Sequence, residues 1–440
     1  MEKDTVRGWG VLFSALLLFL IPLGTRRVIA DLGSAGDFSR LIVSAIEVLG
    51  LAFVAWWLWA RQRLAPANFP IGWAVVFLAM ALASALAGVS RALALASWVE
   101  LAIAVGVAAA LTQIGASSRR WLTVVAWTFV LGGVLQAAVA LGQFTLQHDL
   151  GLQILGESRI APDIAGVAKL DTAAGKIVRA YGTFPHPNLL AAYLGVAILA
   201  WWWLWVRRSE SPAGLRDAAL LGVGALLLAG FAVTFSRLSL VALVTGLAMV
   251  SWRVWVVPGL RRRFGRQARL GALFVIGCGL GLLFFLPQWS SRIAIDGGEQ
   301  AVALRLEYVR SAWHIIADRP FFGVGPGVFV QALPRYAPEL TESWQRQPVH
   351  NLWLLMLVEL GVVGFVAFIV FIWRLLRPLS IRAESGEHAL AKALAVGWLA
   401  ILIVFSLGDH FFWTLPQGRI LFWVVLAVVA GASFRYRQAI

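Results

Sequence analysis

The sequence is poor in residues that form disulfides or bind metals. Its 440 residues include one cysteine, Cys278, and six histidines. One cysteine excludes an internal disulfide, and Cys278 lies in an apolar run where a small packed side chain is expected. No histidines or acidic residues have a tight ligand spacing such as HExxH, and the adjacent pair Asp409–His410 is a weak ligand set. The sequence therefore predicts no metal site.

Two motifs of soluble enzymes are also missing. No GxSxG elbow is present, which argues against a Ser/His/Asp hydrolase. The glycines of "GVGPG" at 323–327 lack the following Lys-Ser/Thr and the strand–helix context of a phosphate loop. A tight turn that returns the chain to its core is the better interpretation.

Charge is scarce, at 13% of residues against 60% hydrophobic. A soluble domain cannot bury that much apolar surface, so we expect a polytopic membrane protein. The 22 tryptophans suit the membrane interface, where ring and N–H are both satisfied. The net charge of +15 is then best explained by basic residues that fix topology against lipid headgroups. We expect membrane lipids, and no nucleic acid, as partners.

Long apolar runs predict an all-α transmembrane bundle, a single integral membrane domain over 1–440 with about twelve spans. The predicted spans are 9–25, 41–60, 71–89, 92–112, 121–146, 187–206, 215–234, 237–256, 270–287, 351–373, 392–408 and 416–434. With both termini cytoplasmic, more than half of the 37 basic residues fall in inside segments, which sets the orientation.

This topology leaves two long periplasmic loops, 147–186 and 288–350. The second contains an amphipathic stretch whose apolar side chains recur at helical spacing, and Pro320 should end the helix. The residues of that apolar face are Leu306, Val309, Trp313 and Ile316. Such a helix would lie on the outer leaflet or pack over the bundle.

Ionisable residues at the membrane surface are candidates for function because their burial is costly. Arg237, in "TFSR", stands between two predicted spans, and Ser236 can cap the second helix. A guanidinium beside a helix N-terminus favours an anion. An interfacial arginine that reaches lipid headgroups would give the same pattern.

Two further candidates stand at predicted helix starts. In "GTFPHPN", Pro187 begins a span after His186, with Arg179 just outside; the pattern fits a helix start, and His186 could still touch a substrate. His350 and Asn351 stand at the outer mouth of another span. A lone interfacial histidine is often structural, but outer-face arginines could converge with this one.

These stretches occur in an order that resembles the bacterial O-antigen ligases and the related O-antigen polymerases. The matching pieces are "GTFPHPN", "TFSR", "RLEYVRSAWHIIADRPFFGVGPGVF" and "HNLWLLMLVELGVVG", which together cover roughly 179–365. The rest of the chain matches in hydropathy and span count. Their order and topology carry the resemblance, since each motif alone is weak.

The resemblance implies a glycosyltransferase in the bacterial inner membrane with a periplasmic active site. Its donor would be a glycan on undecaprenyl pyrophosphate, and for a ligase the acceptor would be lipid A–core. Relatives of this kind use no nucleotide sugar, metal or cofactor. We expect a single inverting displacement by a monomer.

The resemblance also assigns roles to residues. Arginines suit a leaving pyrophosphate, and by resemblance this role goes to Arg237 and Arg305. A neutral histidine can take the acceptor's proton, a role assigned to His350. Additional pyrophosphate-binding candidates are Arg310, Arg179 and Arg292, and further possible site residues are His186 and Asn351.

Three other functions stay open at this point. A polymerase would use the same chemistry on a second undecaprenyl-linked glycan, and a protein O-oligosaccharyltransferase would use a protein acceptor. A transporter of an anionic lipid or solute should instead have ionisable residues along its spans. The inner spans hold few, mainly Glu47, Glu100 and Glu359, so an interfacial enzyme is favoured.

Overall fold

The computed structural model describes residues 3–33, 36–172, 175–208, 214–285, 289, 299–380 and 386–431. Most of these residues are helical. The helices are α1 (Lys3–Leu20), α2 (Ala45–Ala60), α3 (Ile71–Ala87), α4 (Arg91–Ser117), α5 (Trp121–Leu146), α6 (Pro187–Val206), α7 (Leu215–Ala232), α8 (Arg237–Val256), α9 (Pro258–Phe285), α10 (Glu299–Asp318), α11 (Phe329–Tyr336), α12 (Leu352–Leu376), α13 (Gly386–Gly408), α14 (Phe411–Thr414) and α15 (Pro416–Gly431). Two antiparallel hairpins join them, β1 (Arg26–Asp31) with β2 (Arg40–Ser44) and β3 (Lys169–Thr172) with β4 (Gly175–Val178).

Each predicted span overlaps a helix in its described residues, which confirms a polytopic helical fold. Within the described residues, seven helices are long and apolar enough to cross a membrane, namely α4, α5, α6, α7, α8, α12 and α13. Two apolar helices are shorter, α3 and α15. The total of twelve spans and the assignment of the long loops to the periplasm remain predictions.

The start of the second predicted span, 41–60, is wrong. Its first residues form strand β2, which pairs with β1, and the helix begins only at Ala45. Ser44 ends the strand as an N-cap, with its backbone N–H and hydroxyl both donating to Glu47. A capping box of this kind fixes a helix start more firmly than hydropathy does. The predicted all-α fold is confirmed, and the structure adds to it two short hairpins, β1–β2 and, within 147–186, β3–β4.

Helix α6 forms the centre of the bundle. All of its apolar stretch is buried, including Trp201 and Trp202. Helices α5, α7, α8 and α13 pack around it. A helix that is apolar on every side is expected in the core of a bundle. Its N-terminus, at His186 and Pro187, is thereby fixed in the middle of one end of the molecule.

The glycine-rich segment 323–327 is the predicted tight turn. Gly323, Gly325 and Gly327 all have positive φ. The turn docks on α12, where Gly325 N donates to Glu359 O over 2.9 Å. There α12 itself breaks at Gly361, with φ 65° and ψ 179°. Contacts between the turn and the break fix the N-terminal half of α12 against helices α10 and α11.

The predicted amphipathic helix is α10, which ends at Asp318, two residues before Pro320. Its buried side is Tyr308, Ala312 and Ile315. On the predicted apolar face, Leu306 and Trp313 are more than half exposed. The helix therefore packs over the bundle with one side and presents the other outward, where a lipid surface would satisfy it.

Candidate functional site

Three histidines meet at the ends of helices. His186 is the N-cap of α6, His350 directly precedes the N-cap of α12, and His410 precedes α14. The rings of His350 and His410 are edge to face, with centroids 5.1 Å apart. Phe411 packs against both His186 and His410, at 4.6 Å each. The sequence named two of these histidines as site candidates but did not bring them together.

All three histidines line one cavity of about 980 Å³. Charged residues also line it, among them Glu100, Glu359 and Arg419. Aromatic rings of Trp344 and Trp413 also line it. A large cavity with convergent polar and aromatic groups is the usual form of a substrate site.

His350 is buried beside a positive charge. Burial, followed by the Arg305 guanidinium, lowers the pKa of His350 to about 4, although a hydrogen bond with the Pro348 backbone acts in the opposite direction. Its Nδ1 is buried and has no hydrogen-bond partner among the described residues. The imidazole is therefore neutral at pH 7 and can accept a proton.

Helix α10 brings Arg305, but not Arg310, to His350. Arg305 is exposed, and its charge acts on both His350 and Asp409. Arg310 follows five residues later, about 140° further round the helix. It is also exposed and forms an ion pair with Glu307 over 2.8 Å.

The other predicted arginines differ in their surroundings. Arg179 is buried, and it donates to Thr234 O and to Asn188 Oδ1, each over 2.7 Å. Arg237 is the first residue of α8 and is exposed beside the cap formed by Ser236, so its guanidinium can reach an anion at that helix start. Arg292 lies outside the described residues.

Asn188 and Asp409 are site residues that the sequence did not reveal. Asn188 Nδ2 donates to Asp409 Oδ2 over 3.0 Å, and His410 N donates to Asp409 Oδ1 over 2.8 Å. Burial raises the pKa of Asp409 to about 6, against these hydrogen bonds and the charge of Arg305. A chain of contacts thus runs from Arg179 through Asn188 and Asp409 to His410. Only the ionisable pair in "GDH" could have signalled it.

Asn351 positions the helix that follows His350. Its Oδ1 accepts from Leu354 N over 2.9 Å, and its Nδ2 donates to Leu407 O over 3.1 Å. These contacts tie the start of α12 to the end of α13. They fix His350 next to His410.

A buried ion cluster adjoins the cavity that the histidines line. Arg419 Nη1 donates to Glu100 over 2.5 Å and to Glu47 over 3.3 Å. Glu359 accepts from Gly327 N over 2.7 Å and from Trp413 Nε1 over 2.6 Å. The sequence marked the three glutamates but not Arg419. Carboxylates in apolar runs need a buried cation as a partner, and this requirement could have pointed to Arg419.

In the part of the chain that the structure describes, no group of three or more His, Cys, Asp or Glu residues is arranged to hold a metal ion. Two of the histidines pack on Phe411, and all three line the cavity. Their arrangement suits hydroxyl and phosphate groups, which neutral imidazoles and guanidinium groups bind.

Comparison with known proteins gives one assignment. No curated protein matches the chain. Residues 222–369 match the family model described as O-antigen ligase. The match includes "TFSR", helix α10, the glycine turn and the start of α12 with His350. The protein is thus a multi-pass membrane protein whose residues 222–369 match the O-antigen ligase family.

Proposed function

We propose that the protein is an O-antigen ligase that moves a glycan from undecaprenyl pyrophosphate to lipid A–core at the periplasmic face of the inner membrane. The observation that carries this proposal is the position of His350. It is neutral, it lines the cavity, and Arg305 stands beside it. One base and one cation at a helix mouth are the groups that this transfer needs.

The proposed step is a single displacement. An acceptor hydroxyl attacks the anomeric carbon, its proton passes to His350, and the bond from that carbon to the pyrophosphate oxygen breaks. The leaving pyrophosphate takes the electron pair, and Arg305 and Arg237 stabilise its charge. Attack opposite the leaving group inverts the anomeric centre. No nucleotide, metal or cofactor enters the step.

Binding of the donor should also activate the base. The guanidinium of Arg305 depresses the pKa of His350. A pyrophosphate next to Arg305 would offset that charge and raise the pKa of His350 toward its ordinary value of about 6.5. The base would then be strongest when a donor is in place.

The membrane arrangement supports the same proposal. The cavity is lined by the start of α2, α6, α12 and α15, helix ends that the predicted topology places on the periplasmic side. The outward apolar side of α10 would rest on the outer leaflet, where the polyprenyl tail of the donor lies.

An O-antigen polymerase or a protein O-oligosaccharyltransferase would use the same groups with another acceptor. A transporter would need charges along a path through the bundle. The charged site residues Glu100, Glu359 and Arg419 instead line one cavity together with His350.

The test is transfer by the purified protein. Undecaprenyl-pyrophosphate glycan is mixed with lipid A–core, with chelator and without nucleotide, and each alternative acceptor is offered separately. Glycan should appear on lipid A–core, and His350→Ala should abolish it. His314→Ala, an exposed histidine of α10, is the matched control and should keep activity. Full activity in His350→Ala would refute the base assignment, and longer glycan on the carrier would identify a polymerase.

A further inference from the structure

Two ring nitrogens in the cavity wall lack partners. His350 Nδ1 and His410 Nε2 are buried and make no hydrogen bond with any residue that the structure describes. His410 is only 1% exposed. An unsatisfied buried polar atom is costly, so such atoms in a cavity wall point to a ligand that supplies the missing bond. Because His410 lines the cavity and its ring centroid lies 5.1 Å from that of His350, that ligand would be close to the reacting hydroxyl.

The hydrogen bonds around His410 indicate what the ligand must offer. His410 Nδ1 lies 2.8 Å from Thr414 Oγ1, and the Thr414 hydroxyl donates to His410 O over 3.4 Å. The ring tautomer sets the role of Nε2: it accepts when Nδ1 donates to Oγ1, and it donates when the Thr414 hydroxyl donates to Nδ1. A hydroxyl group both donates and accepts, so it satisfies Nε2 in either tautomer.

Other residues of the cavity wall offer groups that complement sugar hydroxyls. Glu100 and Arg419 form an ion pair that lines the cavity, and Arg419 is held by Glu47 and by Trp413 O as well. A carboxylate accepts from hydroxyl groups and a guanidinium donates to them. The rings of Trp344 and Trp413 add apolar faces. These groups together match a sugar with several hydroxyl groups.

The position of the cavity relative to His350 selects which substrate it takes. His350 lines the cavity, whereas Arg305 and Arg237 are absent from the described residues that line it. A displacement in line requires the attacking hydroxyl to approach from the side opposite the leaving pyrophosphate. With Arg305 and Arg237 assigned to the leaving group, we place the cavity, whose own arginines are Arg26, Arg40 and Arg419, on the acceptor side.

We propose that this cavity is an acceptor-glycan subsite, in which His410 Nε2 and the Glu100–Arg419 pair bind hydroxyl groups of the acceptor sugars and present one hydroxyl to His350. The inference rests on the proposed transfer reaction and names its acceptor site. His410 is a binding residue here, and the proton goes to His350.

The test separates acceptor binding from chemistry. Initial rates are measured against acceptor concentration at saturating donor, and against donor at saturating acceptor. Glu100→Gln should raise the acceptor KM about 10-fold or more, as expected for a lost charged hydrogen bond, with kcat and donor KM unchanged. His410→Asn keeps an amide group near the Nδ1 position but cannot reach the Nε2 position, so it should also raise the acceptor KM. His410→Gln, which reaches the Nε2 position, should restore it in part.

The control is Asp217→Asn. Asp217 pairs with Arg208 between α6 and α7, away from the cavity, and its side chain is 18% exposed against 22% for Glu100. It should change neither KM. If Glu100→Gln fails to fold, the two His410 variants still decide. A fall in kcat with an unchanged acceptor KM, or a rise in donor KM instead, would overturn the inference.

A binding measurement keeps this inference distinct from the proposed function. Soluble core oligosaccharide, free of acyl chains, is titrated into wild-type protein without donor, and tryptophan fluorescence is followed. Saturable binding that is weakened by Glu100→Gln supports the subsite even if no transfer to lipid A–core is seen. If the wild type transfers glycan and neither Glu100→Gln nor the His410 variants change the acceptor KM, the subsite alone is refuted.

Discussion

At the scale of single residues, the state of His350 is set by its neighbours. Burial and the Arg305 charge keep the ring neutral, and Asn351 fixes it at the mouth of α12. An ionisable ring is therefore tolerated where a membrane helix begins, because it carries no charge there at neutral pH. The pH dependence of transfer should therefore respond to the charge of Arg305 as well as to the burial of His350.

Replacing Arg305 should move that pH dependence in a defined direction. Arg305→Gln removes a positive charge, so protonated His350 becomes less unfavourable and its pKa rises from about 4 toward 6.5. Activity requires the neutral ring, so the acid limb of kcat/KM for the free enzyme should move to higher pH. The maximum should fall as well, since pyrophosphate loses a partner. The measurement is a pH–rate profile between about pH 3 and about pH 8, a range that spans both pKa values.

Arg310→Gln is the matched control, because Arg310 is exposed on the same helix and pairs with Glu307. Its acid limb should coincide with that of the wild type. An acid limb that stays in place in Arg305→Gln, or moves to lower pH, would contradict the coupling between Arg305 and His350.

At the scale of elements, the break in α12 holds the site together. Gly361 has a positive φ, and a Cβ there would lie 2.3 Å from Phe321 O. The glycine turn that carries Gly327 N to Glu359 packs at the same place. Helix α12 and the outer-loop segment are thus locked by a backbone conformation that only glycine adopts easily.

Substitution of Gly361 should therefore destabilise the protein. Gly361→Ala adds a Cβ against backbone and strains φ, so unfolding free energy should fall by about 1–3 kcal/mol or more. Thermal unfolding in detergent would measure this. Gly279→Ala in α9 is the control, since its Cβ would meet open space and alanine favours a helix. Equal midpoints for the two variants would show that the break bears no strain.

At the scale of the whole molecule, local signals were predictable from sequence and pairings across the chain were not. Pro187, Ser236 and Asn351 mark helix starts because caps depend on adjacent residues. In contrast, Asn188 and Asp409 lie 221 residues apart in sequence, and Arg419 and Glu47 lie 372 apart. Hydropathy cannot match such partners. Hydropathy also placed the start of the second span at residue 41, because strand β2 is apolar, whereas the helix begins only at Ala45.

The orientation of the molecule is the prediction on which the periplasmic site depends. Because Cys278 is the sole cysteine, Cys278→Ala gives a background for single-cysteine labelling. Glu339→Cys, between α11 and α12, should react with a membrane-impermeant maleimide in intact spheroplasts. Gln62→Cys, between α2 and α3, should react only after permeabilisation. Both positions are exposed, so burial cannot explain a difference. The reverse pattern would place His350 on the cytoplasmic side, where the proposed lipid A–core acceptor and donor glycan would not meet it.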